Sequence, residues 1–284
     1  MQANILDSIA NHYNTLTRSS KKLADYILAH KSEAQYMSIT TLAEASCVSE
    51  ATITRFCKML GLVGYNDFKL ALAKVDSTAT SVDPALESAN EDGSSFDNLC
   101  RRLYQIDVSA LSETLALTNE ASAQKAISLL SRARKVYCFG QGGSNVMAME
   151  AWARFSTASS SFIHIADSHL QATASALCTK DDAILFFSYS GATKDMLDVL
   201  KPAKSNGAAI ILITHFSNSP AAMLADVSLL CGPNESPLQS GSIAAKIGQL
   251  FIIDYLFHGF CLQNPEICAA ARTATAQATA RKLL

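Results

Sequence analysis

Two short segments combine glycines with hydroxyls in a way that suits oxyanion binding. Phe139-Gly140-Gln141-Gly142-Gly143-Ser144-Asn145 follows one apolar run, and Ser188-Tyr189-Ser190-Gly191-Ala192-Thr193 follows another. Glycines let the backbone turn sharply and approach a ligand, and a helix starting at such a turn presents N–H groups at the positive end of its dipole. Three hydroxyls beside that end suit a phosphate, whose oxygens need several short donors. A dinucleotide fits less well. Asn145 stands where G-x-G-x-x-G needs its last glycine, Asp167 would have to supply the ribose carboxylate, and the hydroxyl-rich segment is left without a task. A Walker phosphate loop is excluded, because no Gly-Lys-Ser or Gly-Lys-Thr occurs.

Isomerising a sugar phosphate would need a base at the sugar carbon. The candidates are Glu150, Glu235, His164, His169, His215 and His258. Glu235, in Gly232-Pro233-Asn234-Glu235-Ser236-Pro237, can reach a ligand hydroxyl and reads better as a ligand contact or a solvated loop residue than as a base. Glu150 reads as a surface or interhelix carboxylate. His215 either lines a pocket or is held structurally. A strand end separates His164 from His169, so they share no helix face and no metal site is expected. The eight cysteines contain no C-x-x-C pair and read as packed, reduced thiols of a cytoplasmic protein. No catalytic residue, metal or cofactor is assigned.

A third segment has different chemistry. Ile39 to Ala45 and Glu50 to Leu60 read as two helices joined by Ser46-Cys47-Val48, with Ser49 as an N-cap and Gly61 as a stop. Ile53, Phe56, Cys57 and Leu60 form one apolar face, and Thr52 and Arg55 fall on the other. This is the layout of a helix-turn-helix, whose second helix enters the major groove N-terminus first. Ser49, Thr52 and Thr54 are small enough for close approach. Arg55 can reach a phosphate or a guanine edge, and Lys58 and Lys69 lie nearer the backbone. The same spacing fits a plain helical bundle with a solvated polar face equally well.

These segments must be positioned by the surrounding elements. Residues 1–75 have no proline and show helical periodicity near 2–13, 18–30, 38–45, 49–60 and 65–75. They hold eight Lys/Arg against six acids, whereas the whole chain of 284 residues has a net charge of −2. That balance excludes a histone-like polycation but not a local nucleic-acid face. A Ser/Thr/Asp/Asn/Gly-rich stretch over 77–98 reads as a linker. One or two helices are expected over 96–132. Beyond them, apolar runs at 136–139, 162–165, 183–187, 209–213 and 227–230 alternate with helical stretches. Such runs suit strands buried on both faces, and the alternation predicts an α/β fold with a five-stranded parallel sheet in a doubly wound αβα arrangement. The bounds are 1–76 for the all-α domain, 77–98 for the linker, 99–266 for the α/β domain with its leading helices, and 267–284 for an Ala/Thr-rich helical tail. No membrane span is expected, because no run reaches about 18 apolar residues. The N-terminus lacks a basic region followed by an apolar run, so it does not read as a secretory signal.

The segment Ser49-Glu50-Ala51-Thr52-Ile53-Thr54-Arg55-Phe56-Cys57-Lys58-Met59-Leu60-Gly61, with Gly64-Tyr65-Asn66-Asp67-Phe68-Lys69, resembles the N-terminal domain of RpiR-family bacterial transcriptional regulators. Ser20 to Leu28 fits the same family. The resemblance implies that Ser49, Thr52, Thr54, Arg55 and Lys58 face operator DNA. Gly-x-Gly-Gly-Ser, Ser-x-Ser-Gly-x-Thr and Ile213-Thr214 together resemble the SIS (sugar isomerase) domain over about residues 130–262. That likeness implies a phosphate on Ser188, Ser190 and Thr193, with backbone help from Tyr189 and Gly191, a contact from Ser144 to the sugar or the phosphate, and a ligand contact at Gly142. Lys246 stands where arginine is more usual in these regulators, so a second anionic group on the ligand is not favoured; a neutral or N-acetylated sugar phosphate is. The resemblance implies a homodimer or tetramer that senses a phosphosugar and regulates carbohydrate genes. The alternative is a SIS-type isomerase or etherase with an accessory helical domain.

Overall fold

The computed structural model describes residues 5–76, 96–233 and 242–280. Glu235 and residues 77–95 of the expected linker lie outside the described residues. The described residues form two compact units, one within residues 5–107 and one within residues 108–233 and 243–280.

The first unit contains α1 (Ile5–His12), α2 (Arg18–Ala29), α3 (Lys31–Ala34), α4 (Ile39–Ala45), α5 (Glu50–Met59) and α6 (Tyr65–Asp76). The single turn α3 and a 3-10 turn over Tyr13–Thr15 add to the five expected helices. Short polar residues set the helix starts. Thr17, Ser38 and Ser49 each accept a hydrogen bond from a backbone N–H three residues on, satisfying a donor that the helix cannot. Ile9, Leu23, Ile27, Leu42, Ile53, Phe56 and Phe68 fill the core.

Between α4 and α5 the chain reverses through Cys47, whose φ is +53°. Val48 packs on the core, and its N–H donates to the Ala43 carbonyl at 2.9 Å. Gly61, at φ +81°, ends α5. Tyr65 closes the bundle with a 3.0 Å hydrogen bond from its hydroxyl to the Met37 carbonyl.

The second unit opens with the end of α7 (Phe96–Leu117), followed by α8 (Glu120–Arg132). Five parallel strands follow: β1 (Lys135–Gly140), β2 (Phe162–His164), β3 (Asp182–Phe187), β4 (Ala209–Thr214) and β5 (Val227–Leu230), in the order β2-β1-β3-β4-β5. The intervening helices are α9 (Gly143–Ser156), α10 (Ser168–Ala176) and α11 (Lys194–Ser205), and the chain continues through α12 (Ile243–Gln263) and α13 (Pro265–Ala280).

The near-continuous apolar character of the strands has a simple cause. Alternate residues feed two cores, one on each face of the sheet. Val136, Cys138, Leu185, Phe187, Ile211 and Ile213 pack with α8, α9 and α12. Phe139, Ile184, Phe186, Ile210 and Leu212 pack with α11 on the other face. Strand order reverses between β1 and β3, so the two glycine-bearing segments lie side by side at the carboxyl ends of adjacent strands. The expected α/β fold, a helical region followed by a five-stranded parallel sheet, is what the chain forms.

Candidate functional sites

Loop one runs from the end of β1 into α9. A β-carbon on Gly140 would stand 2.6 Å from the backbone oxygen of Ser144, so only glycine lets the first turn of α9 sit against the strand end. Gly142, at φ +54°, is the N-cap of α9 and supplies no side-chain cap. Ser144 is half-buried in the first turn of that helix.

Loop two runs from the end of β3 into α11. Ser188 prolongs the ladder through its N–H to the Ile213 carbonyl at 3.0 Å. Its Oγ accepts from the Gly191 N–H at 3.2 Å, and the Ser190 Oγ accepts from the Ala192 N–H at 3.4 Å. A hydroxyl that accepts from the backbone keeps its own proton to donate. Thr193 is the exposed N-cap of α11, and its side chain makes no capping hydrogen bond. Elsewhere, α2, α4, α5, α8 and α10 are capped by Thr17, Ser38, Ser49, Asn119 and Asp167. The two helices that begin at these loops are not. Both helices thus begin without a side-chain cap, and the hydroxyls of Ser190 and Thr193, with that of the buried Ser188, stand beside the second of these positive helix ends.

The remaining side chains around loop two brace it. Gly191, at φ +59°, is buried with the Ser219 hydroxyl where a β-carbon would go. The Tyr189 carbonyl accepts from the His215 N–H and the Thr214 hydroxyl, each at 3.0 Å. The Tyr189 ring stacks on His215 with centroids 5.0 Å apart, and its hydroxyl donates to the Pro233 carbonyl at 2.7 Å. His215 Nδ1 donates to the Cys231 carbonyl at 2.7 Å. Of the two readings left open for His215, the structural one describes these contacts. The Tyr189 side chain is thus engaged in bracing the loop.

Three supporting residues were not singled out for these roles in the sequence. Gln171, fully buried on α10, donates from Nε2 to the Gly140 carbonyl at 3.0 Å and the Ile165 carbonyl at 2.8 Å, tying loop one to the end of β2. A glutamine in an Ala/Ser-rich helix offered the only signal. Asn145 Oδ1 lies 3.0 Å from His164 Nε2. Burial lowers the His164 pKa, so the ring is neutral at physiological pH and donates from Nε2 to the asparagine. Gln141, within loop one, has both amide atoms buried without a hydrogen-bond partner. Among the described residues, no three His, Cys, Asp or Glu side chains gather as a metal site. Glu150 is exposed on α9.

In the helical unit, α5 presents Ala51, Arg55 and Lys58 outward at a spacing of four and three residues, against Ile53, Phe56 and Cys57 in the core. Ser49 is exposed at the helix start, and Thr54 is half-buried with its hydroxyl donating to the Glu50 carbonyl at 3.0 Å. Thr52 departs from the expectation. It is buried, and its hydroxyl lies 2.9 Å from the Ser49 Oγ. The cap draws the side chain inward, so Thr52 completes the turn, and its hydroxyl also accepts from the Arg55 guanidinium at 3.5 Å. Lys69 is half-buried, and desolvation lowers its pKa to about 8.

Comparison with known proteins follows this division. Residues 3–79 match the family described as a helix-turn-helix domain of the rpiR family, and residues 129–259 match the SIS domain. The chain is 31 % identical to an uncharacterized HTH-type transcriptional regulator of Caldanaerobacter subterraneus subsp. tengcongensis, over 89 % of each chain. It is 28 % identical to the HTH-type transcriptional regulator HexR of Escherichia coli, over 92 % of this chain and 89 % of that one. The solved Vibrio vulnificus NanR protein complexed with ManNAc-6P is similar over 99 % of both chains, with a TM-score of 0.88 and 26 % identity.

Proposed function

The chain belongs to the rpiR family of helix-turn-helix transcriptional regulators with a SIS domain, and on that premise we propose that it senses a sugar phosphate and changes its grip on operator DNA in response. The observation that carries the reading is the second loop, where Ser188, Ser190 and Thr193 offer hydroxyl protons beside an uncapped helix end. In this reading the phosphate takes those hydroxyls and the N-terminal N–H groups of α11. The sugar lies over Gly142 and Ser144, and Glu235 adds a hydroxyl contact. A neutral or N-acetylated hexose phosphate is the favoured class, supported by the ManNAc-6P bound to the similar NanR.

DNA is read by α5. Arg55 reaches a base edge or phosphate, Lys58 a phosphate, and Ser49 and Thr54 approach the backbone closely. The protein acts in the cytoplasm as a homodimer or tetramer whose paired α5 helices match two half-sites about one helical turn apart, or a multiple of it. Ligand binding biases the arrangement of those helices, which is the coupling a sensor needs.

Regulation rather than isomerisation is supported by the names of the relatives and by the use of His164 and His215 as braces. The test is thermal unfolding against a panel of sugar phosphates. A true ligand at about 100 times its Kd adds roughly 2.7 kcal/mol of stability. A hit that the purified protein also isomerises or cleaves would overturn the regulator reading.

A further inference from the structure

The start of α5 carries a group that backbone contacts do not explain. Glu50 is its first residue, exposed, on a surface that must approach phosphates if the helix enters DNA. A carboxylate there repels phosphate, so unless it is used it weakens binding to any sequence. The cap does not need it, because Ser49 already accepts the Thr52 N–H at 3.2 Å. The carboxylate instead turns toward α4. The Thr40 hydroxyl donates to Oε1 of the exposed Glu50 at 2.7 Å, which holds the carboxylate and leaves the second oxygen to accept from elsewhere.

We propose that Glu50 is a specificity-determining residue that accepts a hydrogen bond from the exocyclic amino group of a cytosine, with Thr40 as its positioning residue. This rests on the DNA-reading function proposed above. The choice of base follows from the major-groove edges. Guanine shows two acceptors, thymine an acceptor and a methyl, and adenine an acceptor beside its amino group. Only cytosine offers a donor with no acceptor on the same base edge to repel a carboxylate. Ala51, the next residue and also exposed, is small enough to let the helix start come close to the base edges. The carboxylate thus discriminates in both directions, by one hydrogen bond to the right base and by repulsion at the wrong ones.

The experiment is selection of duplexes from a random-sequence pool by the full-length protein, followed by affinity measurements on single-base variants of the selected site. The wild type is expected to require cytosine at one position of each half-site, with roughly ten-fold weaker binding to other bases there. Glu50→Ala and Glu50→Gln keep the rest of the selected sequence but fall below about two-fold preference at that position. Thr40→Val blunts the cytosine preference, and Thr40→Ser retains it. If both Glu50 variants select the wild-type sequence with the same preference at every position, Glu50 is no reader and the inference is wrong. If the wild type selects no sequence at all, the DNA-reading function itself fails, and the inference fails with it.

Discussion

The backbone oxygen of Ser144 lies 2.6 Å from where a β-carbon on Gly140 would stand. The last residue of β1 and the first turn of α9 are thus in contact through a glycine, and the position of loop one depends on that contact. At Gly191 a positive φ and the Ser219 hydroxyl impose the same restriction twice. Gly140→Ala and Gly191→Ala should each destabilise the α/β unit by about 1–3 kcal/mol, with Gly191→Ala toward the upper end. Chemical denaturation followed by circular dichroism measures this. A change under about 0.5 kcal/mol in either would mean that the loop relaxes freely.

Removing hydroxyls from loop two should act on the ligand and not on the fold. Ser190→Ala with Thr193→Ala leaves stability within about 0.5 kcal/mol, because Ser190 is half-buried and Thr193 is exposed. The midpoint shift produced by a sugar phosphate disappears, and DNA affinity without ligand is unchanged. A persisting shift would move the phosphate elsewhere.

Arg55 and Thr52 should separate reading from folding. Arg55→Ala weakens binding to the selected operator by about 1–3 kcal/mol, and Lys58→Ala weakens binding to all sequences about equally. Thr52→Ala lowers stability by about 1 kcal/mol through the loss of its half-buried hydrogen bond to Ser49, and changes base preference far less than Arg55→Ala, whose guanidinium Thr52 only touches. Binding curves on matched and mismatched duplexes distinguish the two effects.

Cys47 at φ +53° occupies a conformation that glycine adopts without strain. Cys47→Gly should therefore raise the stability of the helical unit by up to about 1 kcal/mol, offset in part by the greater entropy of the unfolded glycine chain. A loss of stability would show that the thiol contributes more than its backbone strain.

His164 sets a pH dependence. Burial lowers its folded pKa below the ordinary 6.5. As pH falls through 6.5 the unfolded chain takes up a proton that the folded chain refuses, so stability declines until the folded pKa is reached. The difference in unfolding free energy between wild type and His164→Gln should shrink in that direction. A difference that stays flat from pH 7.5 to 5 would contradict the assignment of His164 as a half-buried neutral donor to Asn145.

Much of this was legible from the sequence because the signals are local. Ser49 marks a helix start, Gly61 an end, and the apolar runs the five strands within a residue or two at either end. The two loops were found because glycine and hydroxyl spacing is itself the chemistry. What escaped is what only packing decides. Thr52 sits at a polar-face position by spacing, yet the Ser49 cap turns it inward. Gln171 is an ordinary helical residue until the fold brings the Gly140 and Ile165 carbonyls to its amide. The stack of Tyr189 on His215 joins the ends of β3 and β4, a pairing that no periodicity encodes.

The most direct test of sensing is the affinity of the full-length protein for its selected operator, measured by fluorescence anisotropy with and without the sugar phosphate that stabilises it. A ligand that couples to DNA binding shifts the Kd by about five-fold or more, in either direction, and the Ser190→Ala/Thr193→Ala variant shows no shift. An operator affinity that stays the same at saturating ligand, with the ligand bound, would contradict the account.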